Sequence, residues 1–366
     1  MRAYRMTATG TARLVELPPP PIGPDQVRLR VLAAGVCHSD LHVLDAPAAM
    51  WEPPFTLGHE ICGTVTDLGA GTDPGLLGRQ VVVHAPYGCG RCRRCASGAT
   101  NDCDRRRELP AGLGLGVDGG MADEIAVDAA RLVDADGLDP AEAAALTDAG
   151  LTSYRAVAGS VDLLGGPGAV AVVVGVGGLG HLAVGVLRAL TGARVVAVDT
   201  RAAALDLARE CGAHAVCGPA EVASVVDVVS DGRGADVVLD FVGAQATLDG
   251  AGPLLRTAGE LVVVGGAGGV LPVSKPGPLP SGARLRLPFW GSRDELVATV
   301  GLAREGRIRS RTTTYPLSDV TRALDDLRAG RVLGRAVLVP DRPGPDPATG
   351  QRADHPPSTT SSDPVV

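Results

Sequence analysis

Cys89, Cys92, Cys95 and Cys103 follow the pattern C-x2-C-x2-C-x7-C. This spacing lets one loop turn four thiolates toward a tetrahedral ion. Four sulfurs leave no vacancy for a substrate, so the pattern predicts a structural zinc, with an iron–sulfur cluster as the competing occupant. Arg91, Arg93, Arg94, Arg105, Arg106 and Arg107 surround the loop. They can offset the net negative charge of four thiolates around Zn2+, or form the solvated face of the lobe.

A second constellation is Gly175, Gly177, Gly178 and Gly180, a G-x-G-G-x-G run between an apolar segment ending at Val174 and a helix-length segment through Leu190. Glycines there permit a tight turn and close approach of a pyrophosphate, and the helix start offers amide donors. Asp199 lies nineteen residues beyond Gly180 at the end of the next apolar run, where a carboxylate can accept ribose hydroxyls. Its charge opposes the 2′-phosphate of NADP, so NAD is the expected cofactor, while Arg201 offers a guanidinium for adenine or a phosphate. A ligand-free turn and a strand-end cap are the plainer readings. Cys37, His59 and Glu60 sit in polar stretches, but chain spacing does not join them, and a buried thiol with a loop histidine is the alternative.

The elements that must hold these residues divide the chain. From Tyr4 to about residue 130, short β-branched runs (27–31, 61–65, 80–84, 125–127) alternate with Gly, Pro and Asp clusters, which predicts an irregular β-rich region. Helical periodicity returns over 139–154. From Val170, strands at 170–174, 194–199, 235–240 and 260–264 alternate with helix-length segments, as in a parallel α/β sheet. Residues 271–280 are Pro- and Gly-rich and read as a loop or dimer-edge feature. A strand at 284–287, a helix at 293–305, a helix at 317–329 and a strand at 334–339 follow, and the Pro-rich stretch 341–366 reads as a disordered tail.

The chain has 366 residues, 45% of them hydrophobic, but only 2 Trp, 4 Tyr and 3 Phe, so aliphatic packing must fill the core of two or three domains. A net charge of -7 argues against nucleic acid as a partner. No apolar run is long enough to span a bilayer, which argues against a membrane anchor. Clustered cysteines without a signal-peptide pattern at the N-terminus suggest a cytoplasmic metalloprotein.

Residues 1 to about 340 resemble the zinc-containing alcohol dehydrogenases of the medium-chain dehydrogenase/reductase family. The resemblance rests on Cys37-His38-Ser39-Asp40, Gly58-His59-Glu60 continuing to Gly63, the four-cysteine lobe, Gly119-Gly120-Met121-Ala122 and Gly175 to Gly180. It implies a GroES-like catalytic domain (1–148 and 285–340), a Rossmann NAD-binding domain (149–284) and two zinc ions per chain. Cys37 and His59 match catalytic-zinc ligands, and Glu60 matches an acidic neighbour that approaches the metal from behind. Asp148 stands where the family often has Cys, as in a subgroup of bacterial secondary-alcohol dehydrogenases.

The same resemblance makes Ser39 the hydroxyl that touches substrate oxygen and His42 the outer member of a proton relay. His38 and Arg335 match positions near cofactor phosphate, and Trp51, Phe55, Ala85, Tyr87 and Trp290 match substrate contacts. It further implies a homodimer or homotetramer acting on a small alcohol or carbonyl compound. A reductase of a bulky biosynthetic carbonyl intermediate and a non-catalytic NAD-binding or sensing protein are the other readings.

Overall fold

Residues Gln26–Val36 read QVRLRVLAAGV; every second side chain is buried as far as Ala33, and beyond it both faces are covered. That period of two is what a half-buried antiparallel strand requires. In the computed structural model, which describes residues 1–46, 48 and 50–341, this strand pairs antiparallel with Glu60–Leu68, Glu124–Asp128 and Arg335–Val339. The sheet order is Leu132–Asp134, Gln80–Val83, Glu60–Leu68, Gln26–Val36, Arg335–Val339 and Thr312–Pro316. Sequence distance hides the last pairing: the end of the chain returns to the strand that delivers Cys37.

A second sheet is wholly parallel, in the order Ala215–Cys217, Arg194–Val198, Val170–Val174, Ala235–Asp240, Leu255–Val263 and Arg284–Arg286. Val170–Val173 and Ala235–Asp240 are buried on both faces, which explains their near-continuous apolar sequence. The order reverses beside Val170–Val174, and ligands of open α/β sheets bind in the crevice at that switch point. The expected doubly wound sheet beside a β-rich region is therefore present. Arg284–Arg286 pairs with Leu255–Val263, so the division expected at 284/285 falls inside a strand of the parallel sheet.

Between the sheets runs a helical stretch that the sequence predicts as one helix. It consists of α-helix Pro140–Ala145, a π-helical turn Leu146–Gly150 and α-helix Leu151–Ala158. Asp139 caps its start by accepting the amides of Ala141 and Glu142 at 3.0 Å, with Pro140 in the first turn. In the π turn the Leu151 amide reaches back to the Leu146 carbonyl. Such bulges interrupt the regular ladder, often where function sits, and this one carries Asp148.

The sequence misses the Arg2–Ala8/Thr11–Glu16 hairpin. The loop expected over 271–280 forms no helix or strand, and Val270 and Val273 beside and within it are exposed. Of the expected tail, Asp341 is held by Arg2 and by Ser318; residues 342–366 lie outside the described residues.

His181, fully buried in helix Gly180–Leu190, ties the two sheet systems together. The Arg311 amide donates to its Nε2 at 3.1 Å, which leaves the proton on Nδ1 to meet the Gly177 carbonyl at 2.8 Å. Burial lowers its pKa to about 4, aided by the charge of Arg335. Because the folded value lies below the unfolded 6.5, the unfolded chain binds the proton more readily as pH falls, so this contribution to stability is present above pH 6.5 and lost between 6.5 and 4. We expect urea unfolding to show a loss on the order of 2 kcal/mol from this group between pH 7 and pH 5. His181→Asn should flatten that slope; an unchanged slope would show that His181 does not titrate as described.

Candidate active site and metal centres

Cys37 follows strand Gln26–Val36, and His59 precedes strand Glu60–Leu68. The register that pairs Gly35 with Glu60 brings both strand ends to one place. A Cβ at Gly35 would lie 1.7 Å from Glu60 Oε2, so only glycine leaves room for that carboxylate. The π turn supplies Asp148 from the opposite side. One donor atom each from Cys37, His59 and Asp148 lies within 4.8 Å of the others. Asp148 Oδ2 is 3.5 Å from both Cys37 Sγ and His59 Nε2. Bond lengths near 2.1 Å around a tetrahedral zinc give edges of about 3.4 Å between light donors and somewhat more with sulfur, so the trio fits the ion.

The surroundings hold the trio in place. Asp40, fully buried, accepts the Cys37 amide at 2.8 Å and lies 3.5 Å from His59 Nδ1, the second nitrogen of that ring. Thr152 donates to Asp148 Oδ1 at 3.1 Å. Burial works to lower the His59 pKa, but Asp40 and Asp148 outweigh it and hold the value well above the ordinary one. Burial likewise opposes ionisation of Asp148, yet His59, Arg335 and Thr152 bring it down to about 2. A buried pocket so rich in anionic groups calls for positive charge.

Glu60 stands apart from the trio. Arg335 grips both its oxygens, with Nε 2.9 Å from Oε2, and the Ala149 amide donates to Oε1 at 3.1 Å. Burial and the neighbouring Asp148 charge push Glu60 up to about 7 against the pull of Arg335. Arg335 is only 2% exposed, so it is no surface salt bridge; it also meets Asp148 at 3.3 Å. A Cβ at Gly178 would fall 2.9 Å from Arg335 Nη1, which shows how closely this arginine packs under the glycine-rich turn.

That turn lies at the other end of a cleft of about 470 Å³. Gly175 has φ of +87°, and a Cβ on Gly180 would be 1.9 Å from the Gly175 carbonyl oxygen. Asp199 accepts the Val176 amide at 2.8 Å and the Arg201 amide at 2.9 Å, fixing its carboxylate at the rim. Arg201 also reaches the carbonyls of Gly330 and Val332. Gly175, Gly177, Gly178, Gly180, Asp199 and Arg201 therefore line the same cleft as Cys37, His38, Ser39, His42, His59, Asp148 and Arg335. Ser39 Oγ is 3.6 Å from Cys37 Sγ.

The expected substrate wall is only partly brought together. Trp290 lines the cleft with Phe289 and Leu115, and its ring meets His59 edge-on at 5.5 Å. Phe55 is 3% exposed in a strand paired with Met6, and Ala85 is wholly buried, so both serve the β-region core. Trp51 packs at Gly116, and Tyr87 lies under the Arg131 guanidinium; none of these four lines the cleft. Sequence reasoning missed Thr152, whose signal was its position four residues after Asp148 on a helix, as well as Asp40 and Leu115.

The four cysteines also converge, with donor atoms within 4.8 Å of one another. Cys92 and Cys103 sulfurs are 3.9 Å apart, close to the edge of about 3.8 Å for a tetrahedral zinc–sulfur site. Amides of Cys92, Cys95 and Arg105 donate to Cys89, Cys92 and Cys103 sulfurs at 3.3 to 3.4 Å. Such amides, from Arg91 and Cys92, lower the Cys89 pKa to about 6. Arg91, Arg93, Arg94 and Arg107 are exposed, while Arg105 pairs with Glu108.

Comparison with known proteins matches the alcohol dehydrogenase GroES-like domain to residues 23–137 and the zinc-binding dehydrogenase domain to residues 178–304. An NAD-dependent alcohol dehydrogenase of Sulfurisphaera tokodaii is 32% identical over 355 residues, covering 93% of this chain and 100% of the relative. The crystal structure of an alcohol dehydrogenase from Aeropyrum pernix aligns with a TM-score of 0.85 and 34% identity, over 93% of this chain and 100% of that one. An acetophenone reductase of Geotrichum candidum in complex with NAD aligns with a TM-score of 0.80 and 30% identity, over 92% and 96%.

The buried Arg335–Glu60–Asp148 cluster makes a stability prediction independent of chemistry. Arg335→Met leaves two buried carboxylates without their cation and should cost about 3–5 kcal/mol in urea unfolding at pH 8, where both are ionised. Unchanged stability would mean that solvent, not Arg335, compensates them.

Proposed function

This chain belongs to the zinc-binding alcohol dehydrogenases of the medium-chain dehydrogenase/reductase family and is an NAD(H)-dependent oxidoreductase acting on alcohol and carbonyl compounds; we propose that it favours secondary alcohols and their ketones. The observation that carries this reading is the convergence of Cys37, His59 and Asp148 in the cleft that also holds the glycine-rich turn and Asp199. Two zinc ions complete the chain in this proposal, one held by Cys37, His59 and Asp148, the other by Cys89, Cys92, Cys95 and Cys103. The first supplies Lewis acidity toward the substrate oxygen, and NAD supplies the hydride acceptor.

The residues themselves do the rest. Ser39, beside Cys37, accepts the hydroxyl proton of the alcohol and passes it toward His42, an imidazole lining the same cleft that can serve as the outer general base. In the direction of ketone reduction the same groups return it. Amides of the glycine-rich turn and the start of helix Gly180–Leu190 receive the pyrophosphate, with Arg335 beneath and His38 at the rim. Asp199 receives the ribose hydroxyls and repels a 2′-phosphate, which supports NAD over NADP. Leu115, Phe289 and Trp290 exclude water and hold the hydrocarbon part. This apolar wall, and the acetophenone reductase among the similar structures, support a secondary carbinol carrying a bulky or aromatic substituent. Glu60, engaged by Arg335, acts in this reading as a buried partner of that arginine rather than as a resting ligand.

Self-association as a homodimer or homotetramer through the edge strand Arg284–Arg286 is supported by the exposed Leu285 within it and the exposed Leu287 just after it. No described helix is long and apolar enough to cross a membrane. Eight unpaired cysteines support a reducing, cytoplasmic setting.

The reading is tested by oxidation of ethanol, 2-propanol and 1-phenylethanol with NAD and NADP, alongside elemental analysis. We expect two zinc ions per chain and faster turnover of the secondary alcohols. Asp148→Ala should remove one zinc and abolish turnover while NADH binding, followed by fluorescence, persists; an unchanged rate would exclude Asp148 from the ligand set. Asp199→Gly should shift the NAD-to-NADP ratio of kcat/KM at least about tenfold toward NADP, since one buried charge interaction of about 1.4 kcal/mol suffices. A constant ratio would remove Asp199 from cofactor selection.

A further inference from the structure

Five of the six arginines around the four-cysteine lobe are exposed, but Arg106 does not behave like them. Its guanidinium carbon lies 3.1 Å from the centroid of the Phe289 ring, and its Nη1 is buried without a hydrogen-bond partner among the described residues. A guanidinium nitrogen taken out of water with no acceptor is costly unless the aromatic face repays it. Nearby, the wholly buried Asn101 donates its amide to the Phe289 carbonyl at 2.9 Å. Asp102 pairs with Arg155, which also meets Glu295 in the first turn of helix Arg293–Arg304 at 2.9 Å. The lobe thus clamps residues 289–295 by side chain, by backbone and through the helix that follows.

What it clamps is the wall of the cleft. Phe289 meets Trp290 edge-on at 5.2 Å, and Trp290 meets His59 edge-on at 5.5 Å. Trp290 has φ of +46°, a left-handed conformation costly for a bulky residue, which persists only where neighbours over-determine it. The clamp from the lobe on one side and the His59 ring on the other provide that constraint.

We propose that Arg106 is a positioning residue for substrate selectivity: from the four-cysteine lobe it fixes Phe289, and through it Trp290, as the surface against which the larger substituent of the substrate packs. The metal lobe thereby sets the shape of the cleft as well as stabilising its own loop. The inference rests on the reading of the cleft as the substrate site. It assigns selectivity to a residue outside the cleft lining, since Arg106 sits behind Phe289.

The test uses the zinc-loaded full chain with NAD and two alcohols, 2-propanol and 1-phenylethanol. Arg106→Ala should lower kcat/KM for 1-phenylethanol about tenfold, through KM, and leave 2-propanol within about twofold, because only the aryl group spans to the wall. Arg106→Lys, which keeps a cation for the ring, should recover part of the loss. Parallel changes for both alcohols, or no change with both zinc ions retained, would overturn the proposal.

Should Arg106→Ala lose the lobe metal, Arg106→Met keeps the stem that packs there and removes only the charge, and the same selectivity change is expected. In a Trp51→Phe background Trp290 is the sole tryptophan, so its emission reports the wall directly. Arg106→Ala should shift that emission and raise its quenching by iodide. Unchanged emission would overturn the positioning role even if neither alcohol is oxidised, an outcome that would count separately against the functional reading.

Discussion

The buried Arg335 guanidinium is the interaction on which the site depends. It binds Glu60 on the strand after His59 and Asp148 on the π turn, and packs beneath Gly178 of the phosphate-type turn. These come from distant parts of the chain, and Arg335 itself begins the strand that returns to Gln26–Val36. Buried charges are expensive, and such a cluster survives only when each oxygen and each N–H has a partner. Here Ala149, Thr152 and His59 supply further partners for the carboxylate oxygens. One arginine thus links the metal-type trio with the cofactor-type turn, and the two ends of the cleft cannot be placed independently.

Much of this was legible in the sequence because local spacing carried it. The four-cysteine lobe and the glycine-rich turn are each built within a few residues, so their chemistry shows in the pattern and the structure closes them as expected. Alternation of apolar runs likewise revealed both sheets. Cys37 and His59 were legible only through family resemblance, since the register of Gly35 against Glu60 joins them and no spacing rule encodes it. The π turn was hidden because an apolar helical period continues through it. The substrate wall was read least well: Phe55 and Ala85 look like pocket residues by position but face the core, and their burial depends on which strand they pair with.

The same contrast explains Arg335 and Arg106. A lone arginine in sequence defaults to solvent, since burying it without an acceptor is unfavourable. Both escape that default through partners far away in the chain, Glu60 for one and Phe289 for the other. His181 is a third long-range tie, holding the Gly177 carbonyl and the Arg311 amide through opposite nitrogens of a neutral ring. Long-range polar contacts of this kind lock the parallel sheet against the antiparallel one, where apolar packing alone would tolerate sliding.

In its proposed role, Asp148 in place of a cysteine changes what the scaffold must supply. A thiolate presents one sulfur and needs only its rotamer fixed, whereas a carboxylate can rotate about its last bond and offer either oxygen. The structure removes that freedom twice: Thr152 engages Oδ1, and Arg335 approaches Oδ2, the oxygen facing Cys37 and His59. Arg335 also draws negative charge away from Oδ2, so it weakens the donor it orients. Asp40 offsets this from the other side, since its carboxylate beside His59 Nδ1 raises the basicity of the imidazole. Oxygen for sulfur is therefore not a single-residue exchange here. It requires a hydroxyl one helical turn along and a histidine made a stronger donor.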